Sequence, residues 1–522
     1  MPTQTTFTGA QALIRMLVGA GIETCFTNPG TSEIHFVAAL DSVPEMRAIL
    51  TLFEGVATGA ADGYARMADA PAATLLHLGP GLGNGLANLH NARRAKVPVL
   101  NIVGDHATHH AAYDTPLQSD IETIARNVST WVRTVRNPGA LAQDTVEAIT
   151  AAVGPTGQVA TLIVPADVSW HLGAEPAAPP ERAAPLAISA SDTDAAAKAL
   201  RGRHRTAILL GGRALREAAL LAAARIAAVT GAKLFAERST PRLERGVGLP
   251  PVERLAYWPE LASDQLAGLE HLVLVDANPP VAWFAYPGQK SSLVPEDCQL
   301  HILSPPRADP TTSLEALLDA LDAGDAEPVL QTPSVPPRPE GPLTAEKVCQ
   351  AIGAILPEGA IVSDEAITSA AALPASIAGA PRHDWLTLTG GAIGQGLPVA
   401  IGAAIACPDR PVIALEADGS ALYTIQSLWT MAREQLNVTV VIFNNRGYRI
   451  LDAELARLDG HDAGDEARRL IDLGNPELDF VQLGAGLGVK SRRVDTGERL
   501  IDALEEAIAH PGPHLIEAIL PV

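Results

Sequence analysis

The sequence predicts an α/β protein made of three doubly wound parallel-sheet domains, and three observations support this fold class. The chain has 522 residues, which is more than one hydrophobic core usually accommodates. Short apolar runs alternate along it with helical patterns rich in alanine and glycine, as expected where helices cover both faces of a parallel sheet. Two proline-rich stretches, residues 172–188 and 327–342, separate three segments of this kind.

The predicted domains cover residues 1–172, 189–326 and 343–522. In the first domain the apolar runs predict strands at Glu23–Thr27, Ala48–Phe53, Ala73–Leu78, Val97–Val103 and Val159–Val164. The glycine-rich stretch Gly79–Gly85 is predicted to be a loop that leads into a helix ending near Ala95. In the second domain, strands are predicted at Thr206–Leu210, His271–Asp276 and Gln299–Leu303, with a helix at Arg213–Val229.

Charge and composition exclude several classes of function. The formal net charge is −21, which disfavours nucleic acid and anionic membranes as partners. No uninterrupted apolar run is long enough for a membrane span, and no secretory leader pattern is recognisable at the N-terminus. The four cysteines (Cys25, Cys298, Cys349 and Cys407) are scattered, which predicts neither a disulfide framework nor a zinc site. We therefore expect a cytoplasmic protein.

Two oxygen-bearing side chains mark the most informative stretch of the sequence. An apolar run, Pro411–Glu416, is followed by Ala417-Asp418-Gly419-Ser420, and Ser420 is predicted to cap the next helix. A second apolar run, Val438–Phe443, is followed by Asn444-Asn445-Arg446-Gly447. Parallel strands present their carboxyl ends on one rim, so Asp418 and Asn445 are expected together as ligands of a small hard cation such as Mg²⁺. The alternative is a strand–helix–strand unit that has a polar rim and binds no ligand.

Glu54 is the second residue that points to chemistry. It lies between a predicted strand and a helix of small residues, where its carboxyl group is expected to be desolvated. Such a group either holds a proton for catalysis or is stabilised structurally by the helix dipole, and its spacing alone does not separate these two roles.

Together these residues resemble the signature of thiamine diphosphate enzymes, of the benzoylformate decarboxylase and acetolactate synthase branch. The matching stretches are Leu52–Arg66, read as LFEGVATGAADGYAR, and Ala417–Asn445, which begins with ADGS and ends with NN. The one departure is Ala417, where the family motif begins with glycine. The resemblance implies a pyrimidine-binding, a central and a diphosphate-binding domain. It also implies that Asp418, Asn445 and the Gly447 carbonyl hold Mg²⁺ beside the diphosphate, with Gly419 and Ser420 close to the cofactor.

Further site residues follow from the same resemblance. Glu54 is expected to share a proton with N1′ of the cofactor's aminopyrimidine, and the Gly391 carbonyl to accept a hydrogen bond from N4′. Ile393 is expected to support the bent cofactor from below, with Ile450 on the substrate side. Glu365 is expected to hydrogen-bond near the loop that contains Gly391.

On the substrate side, the stretch LLHLGPGLGNG places His77 at an active-site histidine of benzoylformate decarboxylase-like enzymes, although a structural histidine is the alternative. Asn28-Pro29-Gly30-Thr31 resembles their N-P-G-S, so Thr31 takes the place of a substrate-contacting serine. Gln118 matches a glutamine of carbon–carbon ligating enzymes. One family feature is missing, because no histidine precedes Pro287-Gly288-Gln289. The sequence does not assign roles to His106, His109 and His110.

The predicted function is that of a thiamine diphosphate- and Mg²⁺-dependent decarboxylase or lyase that acts on a 2-oxo acid and has carboligase ability. Two alternatives stay open: an acetolactate synthase-like transferase joining two 2-oxo acids, which Gln118 favours, and a catalytically silent regulatory homologue. No flavin signature is recognisable, so FAD is not predicted. The family implies a homodimer with shared active sites, and a homotetramer built from it. Neither the 2-oxo acid nor any aldehyde acceptor is identified by the sequence.

Overall fold

The computed structural model describes residues 6–154, 156–181, 183–202, 205–458 and 464–521. The chain divides into two compact units. The first comprises Met1–Arg182, Pro336–Ser376 and Leu388–Val522, and the second comprises Ala183–Val335 and Ile377–Thr387. The predicted fold class is confirmed, because three parallel sheets alternate with helices along the chain.

The N-terminal part of the first unit contains a six-stranded sheet. Its region includes β1 (Phe7–Thr8), β2 (Thr24–Thr27), β3 (Arg47–Leu50), β4 (Ala72–Leu76), β5 (Val99–Asp105), β6 (Trp131–Thr134), β7 (Val159–Pro165) and β8 (Leu172–Ala174). The helices are α1 (Gly9–Gly19), α2 (Ile34–Ala39), α3 (Glu54–Ala68), α4 (Leu78–Ala95), α5 (Ile121–Ala125), α6 (Leu141–Ala152) and α7 (Ala166–Trp170), with 3-10 turns at Thr31–Glu33, Leu40–Ser42, Ala111–Tyr113 and Pro138–Ala140. The sheet order is β3-β2-β4-β5-β7-β6 and all pairs are parallel, whereas β1 and β8 form a separate antiparallel ribbon.

The hydrophobic effect explains why these segments become strands. Every residue of β4 and β7 is buried, which matches their continuous apolar sequences and a sheet covered on both faces. At the start of α1, Thr8 and Gln11 form a reciprocal capping box that satisfies two backbone N–H groups. The buried face of α1 then joins the core beneath this sheet.

The second unit contains a five-stranded parallel sheet. Its elements up to residue 335 are α8 (Ala190–Arg201), β9 (Thr206–Leu210), a 3-10 turn (Gly212–Leu215), α9 (Glu217–Thr230), β10 (Lys233–Ala236), β11 (Leu243–Arg245), β12 (Glu253–Arg254), α10 (Pro259–Leu266), β13 (His271–Val275), β14 (Gln299–Ser304) and α11 (Pro310–Ala320). The order is β12-β10-β9-β13-β14. The predicted strands in this region are found, and β10 and β12 extend the sheet beyond the prediction.

The C-terminal region completes both units. Its elements are α12 (Ala345–Ile355), β15 (Ile361–Glu365), α13 (Leu373–Ser376), β16 (His383–Thr387), α14 (Gly396–Ala406), β17 (Val412–Ala417), α15 (Asp418–Ala421), α16 (Ser427–Arg433), β18 (Val438–Asn444), α17 (Arg449–Leu455), α18 (Asp465–Arg469), α19 (Phe480–Gly486), β19 (Lys490–Val494), α20 (Gly497–Ala509) and β20 (His514–Ile519). In the first unit, β15, β17, β18, β20 and β19 are neighbours in that order, and all are parallel. In the second unit, β16 pairs with β11 in antiparallel fashion.

Glycine residues let α3 and α14 approach each other closely within the first unit. A Cβ atom at Gly63 would lie 2.2 Å from the Val399 carbonyl oxygen, and one at Gly402 would lie 2.0 Å from the Ala60 carbonyl oxygen. The two backbones therefore touch where any side chain would separate them. Because α3 begins at Glu54 and α14 follows the loop that contains Gly391, this contact connects two predicted site regions.

Two predictions about the extent of helices were wrong. The stretch Gly79–Gly85 is not a loop, since α4 begins at Leu78 and includes it. Its glycines fit the close packing of that helix, because a Cβ atom at Gly85 would lie 2.9 Å from the Thr58 methyl group. The single helix expected after Ser420 is instead divided into α15 and α16, and Leu422 between them is exposed.

In the part of the chain that the structure describes, no helix combines the length and the apolar character needed to cross a bilayer.

Candidate active site

Asp418 and Asn445 meet at the carboxyl edge of the C-terminal sheet. They directly follow β17 and β18, which are neighbouring parallel strands in register at Ala417 and Phe443. Asp418 Oδ1 accepts a hydrogen bond from the Gly419 N–H (2.8 Å), and Oδ2 accepts one from the Arg446 N–H (2.6 Å). Asn445 Oδ1 lies 3.1 Å from the Gly447 nitrogen. The structure thus brings the aspartate and the turn Asn445–Gly447 together.

Burial gives Asp418 unusual electrostatics. The residue is 1% exposed, and desolvation raises the pKa of its carboxyl group despite the backbone N–H donors around it. A buried carboxylate without a cationic partner is costly, whereas a divalent cation at the same place would favour its ionised form. The donor chemistry at Asp418 therefore fits a bound metal ion.

The protein offers only part of a metal shell at this edge. Among the described residues, no group of three or more histidine, cysteine, aspartate or glutamate side chains is arranged to hold a metal ion. One carboxylate, one amide oxygen and the Gly447 carbonyl suit Mg²⁺, which commonly takes its remaining ligands from water and phosphate. The residues present therefore fit a cation that arrives with a phosphate-bearing cofactor.

Ser420 does not cap a helix as predicted. It lies inside α15, and its hydroxyl is close to three acceptors: the Ala417 carbonyl (3.1 Å), Glu416 Oε2 (3.1 Å) and the Glu365 carbonyl (3.3 Å). Gly419 needs its missing side chain, since a Cβ atom there would lie 2.3 Å from the Tyr448 ring. Ser420 therefore fixes the turn after Asp418 through its hydroxyl group, and Gly419 allows the Tyr448 ring to approach it.

The loop Thr389–Gln395 carries Gly391 and Ile393 and is fixed by a buried glutamate. Glu365 Oε1 accepts from the Gly394 N–H (2.8 Å), and Oε2 accepts from the Gly396 N–H (2.7 Å). Gly391 has φ +80°, a conformation that glycine adopts without strain. Gly391 is exposed and Ile393 half-buried, so both are accessible to a ligand.

A second buried glutamate, which the sequence analysis missed, lies against the first. Glu416 and Glu365 are paired across β17 and β15, and both side chains are buried. Burial raises the pKa of each carboxyl group, and the proximity of Glu365 raises that of Glu416 further. The sequence signal that could have identified Glu416 is a glutamate close to the end of an otherwise apolar strand. The local sequence does not reveal that β15 pairs with β17 and so brings Glu365 next to Glu416.

Glu54 lies at the carboxyl edge of the N-terminal sheet, as the first residue of α3. It is 7% exposed, which confirms the predicted desolvation, and its Oε2 accepts a hydrogen bond from Asn84 Nδ2 (2.9 Å). A Cβ atom at Gly81 would lie 3.2 Å from Glu54 Oε1 and 3.4 Å from His77 Cβ. Glu54 and His77 therefore flank the same glycine of α4.

His77 precedes α4 and contacts two side chains of the turn after β2. Its Nδ1 lies 2.8 Å from Glu33 Oε2 and 3.0 Å from Ser32 Oγ. The next residue, Leu78, has φ +54°, which is uncommon for a residue with a side chain and is often found at functional sites. Ile367 after β15 (φ +52°) and Arg446 after β18 (φ +57°) share this feature.

Thr31 and Gln118 lie in the same region with different surroundings. Thr31 is exposed at the start of its 3-10 turn, and the contacts to His77 come instead from the neighbouring Ser32 and Glu33. Gln118 Oε1 is buried and has no hydrogen-bond partner in the described structure. An unpaired buried acceptor is costly, so a ligand donor is a natural partner for it.

The three histidines without an assigned role precede Gln118 in the chain, and His106 contacts the segment that leads to it. His106 Nε2 lies 3.0 Å from Thr115 Oγ1, and the Thr115 carbonyl accepts a hydrogen bond from the Gln118 N–H (2.8 Å). The rings of His106 and His110 are 5.6 Å apart, and His109 contacts Trp170 edge-on. His106 therefore supports the conformation of the segment that carries Gln118.

Around Asn445, the side chains of Arg446 and Arg449 both make contacts that fix the local backbone. Arg446 donates to the Leu520 carbonyl (3.0 Å), and Arg449 pairs with Asp452 (3.0 Å) and donates to the Asn445 carbonyl. Ile450 is half-buried in α17. The arginines thus stabilise the turn that presents Asn445.

Within a single chain, buried polar side chains join α3 and α4 to the loop Thr389–Gln395. Asn88 Nδ2 donates to the Gly55 carbonyl (2.8 Å) and to the Gly394 carbonyl (3.1 Å). Asn91 pairs with Ala392 in both directions. A buried network also connects these regions; it consists of Asp62, Arg66, Thr389 and Gln395. The start of α3 and the glycine loop are therefore held in a defined relation.

Family comparisons match both edges of the site. Residues 7–126 match the model described as "Thiamine pyrophosphate enzyme, N-terminal TPP binding domain", and residues 368–518 match its "C-terminal TPP binding domain" counterpart. A Mycobacterium tuberculosis protein named "Putative acetolactate synthase large subunit IlvX" is 55% identical, with 98% of this chain and 99% of that protein covered. The chain belongs to the thiamine pyrophosphate enzyme family.

Other members of the thiamine pyrophosphate enzyme family match along nearly the whole chain. Benzoylformate decarboxylase of Pseudomonas aeruginosa is 28% identical, with 95% of this chain and 96% of that protein covered. A solved structure of the Rhodococcus jostii RHA1 thiamine diphosphate-dependent 4-hydroxybenzoylformate decarboxylase superposes with a TM-score of 0.85 at 24% identity, covering 99% of each chain. At that identity the superposition shows a shared fold.

Proposed function

We propose that this thiamine pyrophosphate enzyme is a Mg²⁺-dependent carbon–carbon lyase that decarboxylates a small 2-oxo acid and has carboligase ability. The observation that carries the proposal is Asp418, buried and held by backbone N–H groups beside the turn Asn445–Gly447. A buried carboxylate beside this turn can bind a divalent cation, which in turn neutralises the charge of a diphosphate.

In the proposal, the C-terminal sheet holds the diphosphate end of the cofactor. Asp418, Asn445 and the Gly447 carbonyl would bind Mg²⁺. Gly419 and Ser420 would lie close to the phosphates at the start of α15. The loop with Gly391 and Ile393 would position the cofactor's ring system. When bound, thiamine diphosphate supplies a carbon nucleophile and accepts the electron pair that decarboxylation releases.

The N-terminal sheet would supply the acid–base groups. Glu54 would share a proton with N1′ of the aminopyrimidine, since its carboxyl group is nearly buried and accepts only one hydrogen bond from a described side chain, Asn84. His77 would exchange a proton with the substrate, with Thr31 on the substrate side and Ile450 across from it. The buried, unpaired oxygen of Gln118 would accept a hydrogen bond from the substrate or acceptor.

A second candidate function is an acetolactate synthase-like transferase that joins two 2-oxo acids. Two observations favour it: the name of the 55% identical relative and the unpaired Gln118 oxygen beside the proposed acceptor site. The two functions differ after CO₂ is lost, because a lyase releases an aldehyde whereas the transferase adds a second 2-oxo acid. A catalytically silent regulatory homologue would release no CO₂ at all.

A substrate screen tests these functions. The purified chain, with thiamine diphosphate and Mg²⁺, is given pyruvate, benzoylformate and branched 2-oxo acids, while CO₂ release is followed and products are identified by gas chromatography. An aldehyde supports the lyase, and a 2-hydroxy-2-alkyl-3-oxo acid supports the transferase. Cofactor binding without CO₂ release from any 2-oxo acid would contradict both.

The metal assignment is tested by Asp418→Ala. We expect calorimetry to show loss of Mg²⁺-dependent thiamine diphosphate binding, because the cation would lose its only carboxylate ligand in the proposed set. Asp409→Ala is the matched control, since Asp409 is an exposed aspartate in the turn before β17. Equal cofactor affinity in Asp418→Ala and Asp409→Ala would remove Asp418 from the site.

A further inference from the structure

We propose that Glu33 is a positioning residue that acts through His77: it keeps Nδ1 of the ring protonated, so that Nε2 presents a lone pair to the substrate. This inference rests on the proposed function, in which His77 exchanges a proton with the substrate. Glu33 ends the 3-10 turn that follows β2, and neither the sequence pattern nor the family resemblance pointed to it.

Three donors converge on the Glu33 carboxylate. Its Oε2 accepts from the Gly30 N–H (2.9 Å) and lies 2.8 Å from His77 Nδ1, while Oε1 accepts from Ser32 Oγ (2.6 Å). An ionised carboxylate can only accept hydrogen bonds, and this arrangement of donors suits the ionised form. Glu33 is 3% exposed, so these contacts replace water around its charge.

The hydrogen-bond pattern selects one tautomer of His77. Because both oxygens of Glu33 are acceptors, the proton between Glu33 and His77 must lie on Nδ1. The Ser32 hydroxyl gives its own proton to Glu33, so its oxygen can only accept from Nδ1 across their 3.0 Å contact. In a neutral ring with Nδ1 protonated, Nε2 is the basic nitrogen.

The backbone makes room for this pair at two glycines. A Cβ atom at Gly104 in β5 would lie 1.7 Å from Glu33 Oε1, and one at Gly30 would lie 2.3 Å from the His77 ring. Any other residue at these places would displace the carboxylate or the ring. The contact between Glu33 and His77 therefore depends on the backbone around it, at Gly104 in β5 and at Gly30 in the turn after β2.

The location of the pair connects it with Glu54. His77 and Glu54 flank Gly81, while Glu33 approaches the ring at Nδ1. The ring thus has a fixed carboxylate at one nitrogen and lies next to the second acid–base group of the proposed site. Partners that orient a catalytic imidazole in this way typically change rates by about 10–100-fold when removed from histidines at metal sites, and by more in hydrolytic triads.

A double-mutant cycle tests whether Glu33 acts through His77. The variants are Glu33→Gln, His77→Ala and both together, measured by kcat and KM for CO₂ release from the best 2-oxo acid in the screen. We expect Glu33→Gln to lower kcat roughly 10–100-fold in the wild-type background, with thiamine diphosphate affinity unchanged. In the His77→Ala background we expect little further loss. Equal fold losses in the two backgrounds would overturn the inference.

Two further variants distinguish a role of the Glu33 charge from a purely structural effect of the substitution. Glu33→Asp keeps the charge but shortens the side chain by one methylene group, so it should retain more activity than Glu33→Gln if the ionised carboxylate matters. Glu45→Gln makes the same chemical change at an exposed glutamate before β3 and should leave kcat unchanged. Glu33→Asp performing no better than Glu33→Gln would contradict a role for the charge.

A measurement without turnover separates this inference from the proposed function. With ring-¹⁵N-labelled histidine, the NMR signal that disappears in His77→Ala identifies His77, and its nitrogen shifts report the tautomer. We expect the Nδ1-protonated form in the wild type and a shift towards the Nε2-protonated form in Glu33→Gln. If both NMR results are obtained with a chain that releases no CO₂, the proposed function is refuted and the inference about Glu33 stands. An Nε2-protonated ring in the wild type would refute the inference alone.

Discussion

At Glu54 the chain keeps a carboxyl group almost out of water with one side-chain amide as its described hydrogen-bond donor. A structural carboxylate in such a place is normally paired with a cation or with several donors, because desolvation is expensive. Sparse pairing is what a group needs if it must exchange a proton with a ligand. A substitution of Glu54 therefore tests whether this side chain controls the tautomer of the cofactor's aminopyrimidine or only helps to bind the cofactor.

We expect Glu54→Gln to bind thiamine diphosphate but to exchange the cofactor's C2 proton more slowly. Glutamine keeps the size and hydrogen-bonding capacity of the side chain, but it cannot share a proton with N1′. Acid–base contributions of this kind are typically about 10²–10⁴-fold. Quenched-flow NMR of exchange into deuterium oxide measures the rate directly, and exchange at the wild-type rate would exclude Glu54 from the mechanism.

The sequence predicted the positions of some candidate site residues and missed the contacts of others, and the reason is the range of those contacts. Asp418 and Asn445 each directly follow an apolar strand, so one local pattern placed them. Glu33 was missed because its contact with His77 joins segments separated by 44 residues. Glu416 was missed for a similar reason, since its neighbour Glu365 comes from a different strand.

Among the elements, the contact between α3 and α14 depends on the absence of side chains at two glycines. Gly63 and Gly402 each meet a backbone carbonyl oxygen of the opposite helix at a distance no Cβ atom can occupy. A methyl group there must push the two helices apart. The helices in turn hold the residue Glu54 at one end and the loop Thr389–Gln395 at the other.

We expect Gly63→Ala to lower the Tm of the cofactor-free chain, because its Cβ atom would lie 2.2 Å from the Val399 carbonyl oxygen. Overpacking of this kind typically costs about 1–3 kcal/mol. Gly83→Ala in α4 is the matched control, since its Cβ atom would enter open space. There, alanine should stabilise the helix by about 0.5–1 kcal/mol. A Tm that rises equally in both variants would refute the tight contact.

Strands were easier to predict than helix ends. The buried parallel strands read as continuous apolar runs, so their positions follow from hydrophobicity alone. The start of α4 was misplaced because its glycines indicate a loop locally, whereas close packing against Thr58 favours a helix with small residues. The break between α15 and α16 was missed because Thr424 bonds to the Gly394 carbonyl, a partner the local pattern does not reveal.

We expect His383 in β16 to make the second unit sensitive to acid. Burial lowers the pKa of its ring to about 4, with a smaller contribution from the nearby cation of Arg245. The unfolded chain, with an ordinary histidine pKa near 6.5, binds the proton more readily. Stability linked to His383 is therefore complete above about pH 6.5 and is lost as the pH falls towards 4.

We expect the Tm of the wild type to fall more steeply between pH 6.5 and 4.5 than that of His383→Gln, which cannot take up this proton. The variant should be less stable at pH 7.5, because a buried ring that packs and bonds to the Pro381 carbonyl is lost. Only the difference in slope reports the titration. Parallel curves of Tm against pH for the two proteins would show that His383 does not contribute to acid lability.

At the scale of the whole molecule, the question is whether one chain or two complete the site. The family resemblance implies that Glu54 of one subunit faces Asp418 and Asn445 of another. Within one chain, Asn88 already links the start of α3 to the glycine loop through two carbonyls. Both arrangements use the same residues, so they differ only in which copies of them cooperate.

We expect hybrid dimers to recover activity. Glu54→Gln and Asp418→Ala subunits are each inactive in the proposal, but mixing them allows one site to receive intact Glu54 from one chain and intact Asp418 from the other. The measurement is CO₂ release after subunit exchange, with exchange verified by native mass spectrometry of differently tagged chains. No recovery despite verified exchange would place each site within a single chain.

The positive φ angles of Leu78, Ile367 and Arg446 bear on how this protein can be engineered. A left-handed conformation costs a residue with a side chain roughly 1–2 kcal/mol, and a β-branched residue such as Ile367 is the least suited to it. Substitution by glycine or asparagine at these three positions should therefore raise thermal stability, and laboratory evolution for heat resistance should select it. Each follows a strand end that borders the proposed site, so the gain in heat resistance would come with looser catalytic geometry.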